Sequence, residues 1–135
     1  MYHLTEKDNA LLASTANKYS IDLFVLFGSQ ATGQANRKSD IDIAYHAQKN
    51  LTLEQESQLV VDLARVFKNE NIDLVNITFA PPLLRYAIFK DGLPLFEQNP
   101  LTFASFSAYA FKQYIETKQL YNARAKKLFE AIQQL

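Results

Sequence analysis

Cysteine is absent from the 135 residues, and glycine occurs only three times. Without cysteine there is no disulfide framework, no thiolate nucleophile and no Cys-based zinc or iron–sulfur site. An excess of one charge is missing as well. The 14 basic side chains balance 14 acidic ones, whereas a general nucleic-acid-binding domain is normally strongly basic. No run approaches the ~20 apolar residues of a membrane span. The opening Met-Tyr-His-Leu-Thr-Glu-Lys-Asp does not read as a signal peptide. There is no repeat, low-complexity tract or Gly/Ser linker. These absences predict a cytoplasmic protein with no membrane and no direct nucleic-acid partner.

Apolar residues make up 48% of the chain. The length fits one domain over residues 1–135, with a radius of gyration of ~14 Å and roughly two thirds of the unfolded surface hidden. The zero net charge is a sum of unequal parts. Residues 1–80 carry 7 basic and 10 acidic side chains, and residues 81–135 carry 7 and 4. The acidic excess lies in the strand-rich part, where a cation could be held, and the basic excess lies in a tail.

Thr5 to Asp8 reads as a capped helix start, followed by Leu11, Leu12, Thr15 and Tyr19 at helical spacing. Ile21 to Phe27 is a nearly continuous apolar run, as expected of a strand buried on both faces. It stops at Gly28-Ser29. After a polar stretch to Ser39, Asp40 to Tyr45 alternates like a half-buried strand. Thr52 with Gln55 opens a second helix through Phe67. Ile72 to Phe79 reads as a third strand ended by Pro81-Pro82, followed by a short helix over Leu83 to Phe89. Asp91-Gly92 makes a turn, and Leu93 to Phe96 reads as an edge strand. Leu101 to Leu135 is helical, with a possible interruption near Thr117. Helices alternating with strands predict an α/β (α+β) sandwich.

The informative segment is Gly28-Ser29 followed by Asp40-Ile41-Asp42-Ile43. Side chains on a strand alternate faces, so Asp40 and Asp42 point the same way about 6.7 Å apart, and Ile41 and Ile43 point into the core. Two carboxylates at that spacing can converge on a pair of divalent cations ~3.5–4 Å apart. Asp73, early in the next strand, could bring a third. Such a cluster is unfavourable alone, because like charges 4 Å apart repel by ~4 kcal/mol at an effective dielectric of 20. Mg²⁺ takes a few carboxylates plus substrate phosphates. The Gly-Ser turn suits those phosphates: glycine permits close backbone approach, and N–H groups and the hydroxyl can hold phosphate oxygens.

Gly28-Ser29, ten intervening residues and Asp40-x-Asp42 resemble the signature of the DNA polymerase β-like nucleotidyltransferase superfamily, and Asp73 matches its separated third carboxylate. The short length and the segment from Leu84 to Glu97 resemble its minimal nucleotidyltransferase (MNT) branch. Its members commonly act as antitoxins beside a HEPN-domain ribonuclease toxin. The resemblance covers about residues 5–97, leaving 101–135 as a helical segment. It implies the polymerase β-like fold, a small mixed sheet packed with helices. It also implies that Asp40, Asp42 and Asp73 are catalytic and hold two Mg²⁺ ions, and that Gly28 and Ser29 hold the phosphates of ATP. AMP would pass to a tyrosine of the toxin as pyrophosphate leaves. Two readings stand beside this one: transfer to a small molecule of aminoglycoside type, and an antitoxin that acts by binding alone.

Related members often carry Arg two and four places after the glycine, where this chain has Gln30 and Thr32. Arg37 and Lys38, in the same loop, are the candidates to balance the triphosphate charge. Arg85 reads either as facing the nucleotide or as an ordinary salt bridge, and His46 chiefly as a surface histidine. With no R-x4-H-x-Y pattern the chain is not the ribonuclease partner, and with no G-x4-G-K-[ST] loop it is not a P-loop NTPase.

As one helix, Leu101 to Leu135 would be ~52 Å long, against ~36 Å for the whole domain. The helix therefore breaks or overhangs. Phe103, Phe106, Ala110, Tyr114, Tyr121, Ala125, Leu128, Ile132 and Leu135 form one stripe, for which core packing is expected. An overhang bearing Phe111, Ile115, Phe129 and Lys126-Lys127 would need a partner.

Overall fold

The computed structural model describes residues 4–33 and 40–135. Four strands, β1 (Ile21–Phe27), β2 (Ile41–Ala47), β3 (Ile72–Asn76) and β4 (Leu93–Glu97), form one mixed sheet in the order β3-β2-β1-β4. β1 runs antiparallel to both β2 and β4, while β2 and β3 are parallel. The helices are α1 (Glu6–Lys18), the single turn α2 (Ser29–Thr32), α3 (Leu53–Phe67), α4 (Pro82–Asp91) and α5 (Thr102–Gln133).

Local chemistry explains the boundaries. Thr5 and Asp8 form a reciprocal capping box at α1, and Thr52 and Gln55 form another at α3, so the first-turn N–H groups have partners. Pro82 starts α4, where its missing N–H costs no helical bond. The third strand is shorter than its apolar run suggests. It ends at Asn76, whose side chain accepts from Thr78 N at 3.0 Å and turns the chain into a 3-10 turn, Ile77–Phe79. Asx side chains compete with a ladder in this way.

The sheet is sandwiched. Phe24, Leu26, Ile41, Ile43 and Tyr45 pack with Leu12 and Ala16 of α1 and Leu59, Leu63 and Phe67 of α3. On the other face Leu23, Val25 and Ala44 pack with Ile77, with Ile88 and Phe89 of α4, and with Ala110 of α5. Tyr45 reaches through the first layer to donate to Glu56 at 2.6 Å. β2 is buried at five of its seven residues, so it is a central strand and not the half-buried one its alternation suggests.

α5 is continuous through Thr117. Its 32 residues span ~48 Å at 1.5 Å per residue, and beyond Thr117 every residue is exposed. Core packing therefore holds for Phe103, Phe106 and Ala110 and fails for Tyr121, Leu128, Ile132 and Leu135, all more than half exposed. Helical periodicity determines which side chains share a face, but not whether the body is long enough to cover it. Among the described residues no helix is long and apolar enough to cross a membrane.

Candidate active site

The site is assembled by strand register. Phe27, the last residue of β1, pairs with Asp42, and Asp42 pairs with Asp73 in the parallel β2–β3 ladder. Gly28, Asp42 and Asp73 thus lie on three neighbouring strand paths, each about 4.8 Å from the next. Ile41 and Ile43 enter the α1/α3 layer, so Asp42, between them, faces the opposite side with Ala44. On β3, Val75 packs in that second layer, which puts Asp73 on the same side as Asp42. Asp40 stands one residue before β2, exposed, and lines a cavity of about 330 Å³ with Glu70, Asn71, Ile72 and Asp73. The Ile41 N–H donates to Asn71 O at 2.8 Å and pins the two strand starts together.

The turn at Gly28 is built for close approach. Its φ of 70° lies in the left-handed region, and a Cβ there would overlap Asp42 Oδ2. A side chain is thus excluded by strain and by contact together. Ser29 then begins α2, and Gly33, at φ 78°, caps it through its N–H to Ser29 O. The sequence marks this turn by its Gly-Ser but not the helical turn after it, because four residues show no periodicity.

Electrostatics agree with the geometry. The Asp42 carboxyl is raised above its ordinary value, first by burial, then by the charge of Asp73 and a hydrogen bond with it, and last by the charge of Asp40. Two carboxyls that share a hydrogen bond need a proton between them, or a cation in its place. Among the described residues no three acidic or histidine side chains converge closely enough to cage an ion by themselves. Mg²⁺ does not need such a cage, since one or two carboxylates plus substrate phosphates suffice. A destabilised carboxylate pair with a third at its rim fits that donor set.

Arg37 and Lys38 lie outside the described residues. Gln30 is buried, and Thr32 Oγ1 donates to carbonyls within its own turn, so neither stands in for an arginine. Among the described residues Arg85 forms no salt bridge. It donates to Gln113 Oε1 at 2.6 Å and to the carbonyls of Ile77 and Thr78, tying the 3-10 turn after β3 to α5. Its family segment draws attention to it, but its partners are carbonyls and an amide, which carry no charge signature. His46 is half-buried. Its Nδ1 meets Asp22 Oδ1 at 2.7 Å and its ring packs 4.7 Å from Phe106, at the end of β2 remote from Asp42. Asp62 of α3 accepts from the Tyr19 hydroxyl at 2.6 Å and from Lys18 Nζ at 3.0 Å.

A glycine turn against carboxylates on two adjacent strands, in a small mixed sheet, defines a nucleotidyltransferase, and the chain belongs to the Polymerase beta nucleotidyltransferase family, whose profile matches residues 10–101. Within that class it is 28% identical over 122 residues to the protein adenylyltransferase MntA of Aphanizomenon flos-aquae (strain 2012/KM1/D3), covering 84% of this chain and 81% of the relative. Its fold matches a chain of a toxin–antitoxin structure with AMP-PNP at a TM-score of 0.73 and 23% identity, over 90% of this chain and 98% of that one. It also matches a chain of a tri-AMPylated Shewanella oneidensis HEPN toxin in complex with MNT antitoxin. There the TM-score is 0.68 and the identity 20%, over 92% and 98% of the two chains.

Proposed function

We propose that this nucleotidyltransferase is a cytoplasmic antitoxin that uses Mg²⁺ and ATP to transfer AMP to a tyrosine of a cognate HEPN ribonuclease toxin, which the modification neutralises. The observation that carries the reading is the register Gly28–Asp42–Asp73, which sets a glycine turn beside a carboxylate pair. Support for the protein acceptor comes from the similar MntA, named a protein adenylyltransferase, and from the fold match to an MNT antitoxin complex with an AMPylated toxin. The whole chain, residues 1–135, acts as one transferase domain whose core is about 5–97.

In this reading Gly28 and Ser29 hold the β- and γ-phosphates, helped by Arg37 and Lys38. Asp40, Asp42 and Asp73 hold two Mg²⁺ ions, which when bound offset the negative charge that builds up at phosphorus. The acceptor enters from the Asp73 side, opposite the phosphates, which gives in-line attack. The tyrosine oxygen forms a bond to the α-phosphorus, the bond from that phosphorus to the bridging oxygen breaks, and pyrophosphate leaves. The phenolic proton passes to a neighbouring carboxylate, the role this reading gives Asp73.

The test is transfer of label from α-labelled ATP to the HEPN protein. Asp40→Ala with Asp42→Ala is expected to lower transfer at least a thousandfold. Label at the wild-type rate would overturn the mechanism, and toxin neutralised without any label would assign the antitoxin effect to binding alone.

A further inference from the structure

The far half of α5 carries a pattern that the body of the molecule does not use. Ala110 is the last fully buried residue of the helix, and Tyr114 is held by stacking on Tyr86, ring centroids 3.9 Å apart. The stripe then continues into solvent. Tyr114, Tyr121, Leu128 and Leu135 recur every seven residues. Phe111, Lys118, Ala125 and Ile132 recur at the same interval, three places earlier. Two interleaved seven-residue series of this kind make the seam of a two-helix supercoil. Globular packing follows 3.6 residues per turn instead, and over this length the two repeats diverge. Tyr121 is 56% exposed, Leu128 64% and Ile132 55%, and Phe129 flanks them at 62%. A contiguous apolar face of this size marks an interaction site.

The charges decide what covers it. From residue 116 onward the helix bears four basic side chains, Lys118, Arg124, Lys126 and Lys127, against Glu116 and Glu130. A second copy pairs badly. Run parallel, Lys118 meets Lys118 in the seam. Run antiparallel about Ala125, the two Arg124 side chains, which flank the seam, face each other. Flanking and seam charges select partners in this way, so the complementary occupant is an amphipathic helix with acidic flanks and an acidic or amide residue opposite Lys118.

We propose that residues 114–133 of α5 form a coiled-coil docking rail for an acidic amphipathic helix of the acceptor protein, which holds that acceptor at a second point away from the carboxylates. This rests on the transferase reading above for the identity of the acceptor, but the rail itself is independent of catalysis. A second contact raises the local concentration of the acceptor and leaves the chemical step unchanged.

The experiment uses the full chain with the HEPN protein as acceptor. Leu128→Glu with Ile132→Glu is expected to raise KM for that protein at least tenfold and to leave kcat, the melting temperature and transfer to a short tyrosine peptide unchanged. An unaltered KM overturns the proposal. It is also overturned if the wild-type chain sediments as a dimer that this variant dissolves, or if the rail binds an RNA oligonucleotide that Lys126→Glu with Lys127→Glu releases. If wild type transfers no AMP to the HEPN protein yet binds it through residues 128 and 132, the transfer reading fails and the rail stands.

Discussion

Leu63 and Leu128 are the same residue on two amphipathic helices, and they live in different worlds. Leu63 in α3 is fully buried against the sheet, whereas Leu128 in α5 is 64% exposed. The sheet and its flanking helices satisfy one another: capping boxes close α1 and α3, and the apolar faces meet two layers of core. The far half of α5 also carries an apolar stripe, but that stripe is exposed. Patterning makes a helix; only the length of the body decides what is left over for a partner.

The largest test of that contrast is stability. Leu63→Ala should cost ~2–5 kcal/mol, the range for buried leucine truncations. Leu128→Ala should stay within about 0.5 kcal/mol, as surface changes do. Urea unfolding of both variants in the isolated chain reads the difference. Equal losses would mean that the far half of α5 is covered in solution and that the two regions are alike.

A smaller effect separates the site from the core around it. Gly28→Ala puts a methyl group onto the Asp42 carboxyl at a left-handed backbone position. Strain of this kind costs about 1–3 kcal/mol. Transfer should fall at least a hundredfold, because a carboxylate displaced by even 1 Å loses productive geometry. Retained activity with wild-type stability would show that the turn is looser than its contact with Asp42 implies.

How far the sequence declares each feature depends on how local its cause is. Ile21 to Phe27 declares its strand because the whole run is apolar, and Thr52 with Gln55 declares a helix start because the cap is local chemistry. Asp40, Asp42 and Asp73 stand out as candidates, but the placing of Asp42 beside Asp73 requires the β2–β3 pairing, a long-range fact that no spacing encodes. The end of β3 is hidden because Ile77 and Phe79 are as β-prone as the residues before them, and a single side-chain bond from Asn76 redirects the chain. The role of Arg85 is hidden because its hydrogen bonds run to Gln113, 28 residues away. The stripe on α5 is legible as a stripe. That half of it lies bare is a question of size, raised by the ~52 Å length and answered only by the fold.

The smallest effect has the opposite sign from the others and so sharpens the contrast most. In the chain without cation or nucleotide, the Asp42 carboxyl is raised by burial and by Asp73 and Asp40, so the folded protein keeps a proton that the unfolded chain has released. Its contribution to stability is therefore full below the ordinary carboxylate range and is lost as pH rises through the raised value. At neutral pH the ionised group works against the fold. Asp42→Asn removes that charge while keeping the shape. It should stabilise the isolated chain by on the order of 0.5 kcal/mol, a figure kept small because the carboxyl is only partly buried and solvent screens it. Thermal melts at pH 4 and pH 7.5 should show the gain at the higher pH alone, with transfer lost at both. Stability traded against function in this way is expected of a residue placed for a ligand, and no such trade is expected at Leu63. A destabilised Asp42→Asn at neutral pH would mean that the carboxylate holds the strands together, making it part of the body and not of the site.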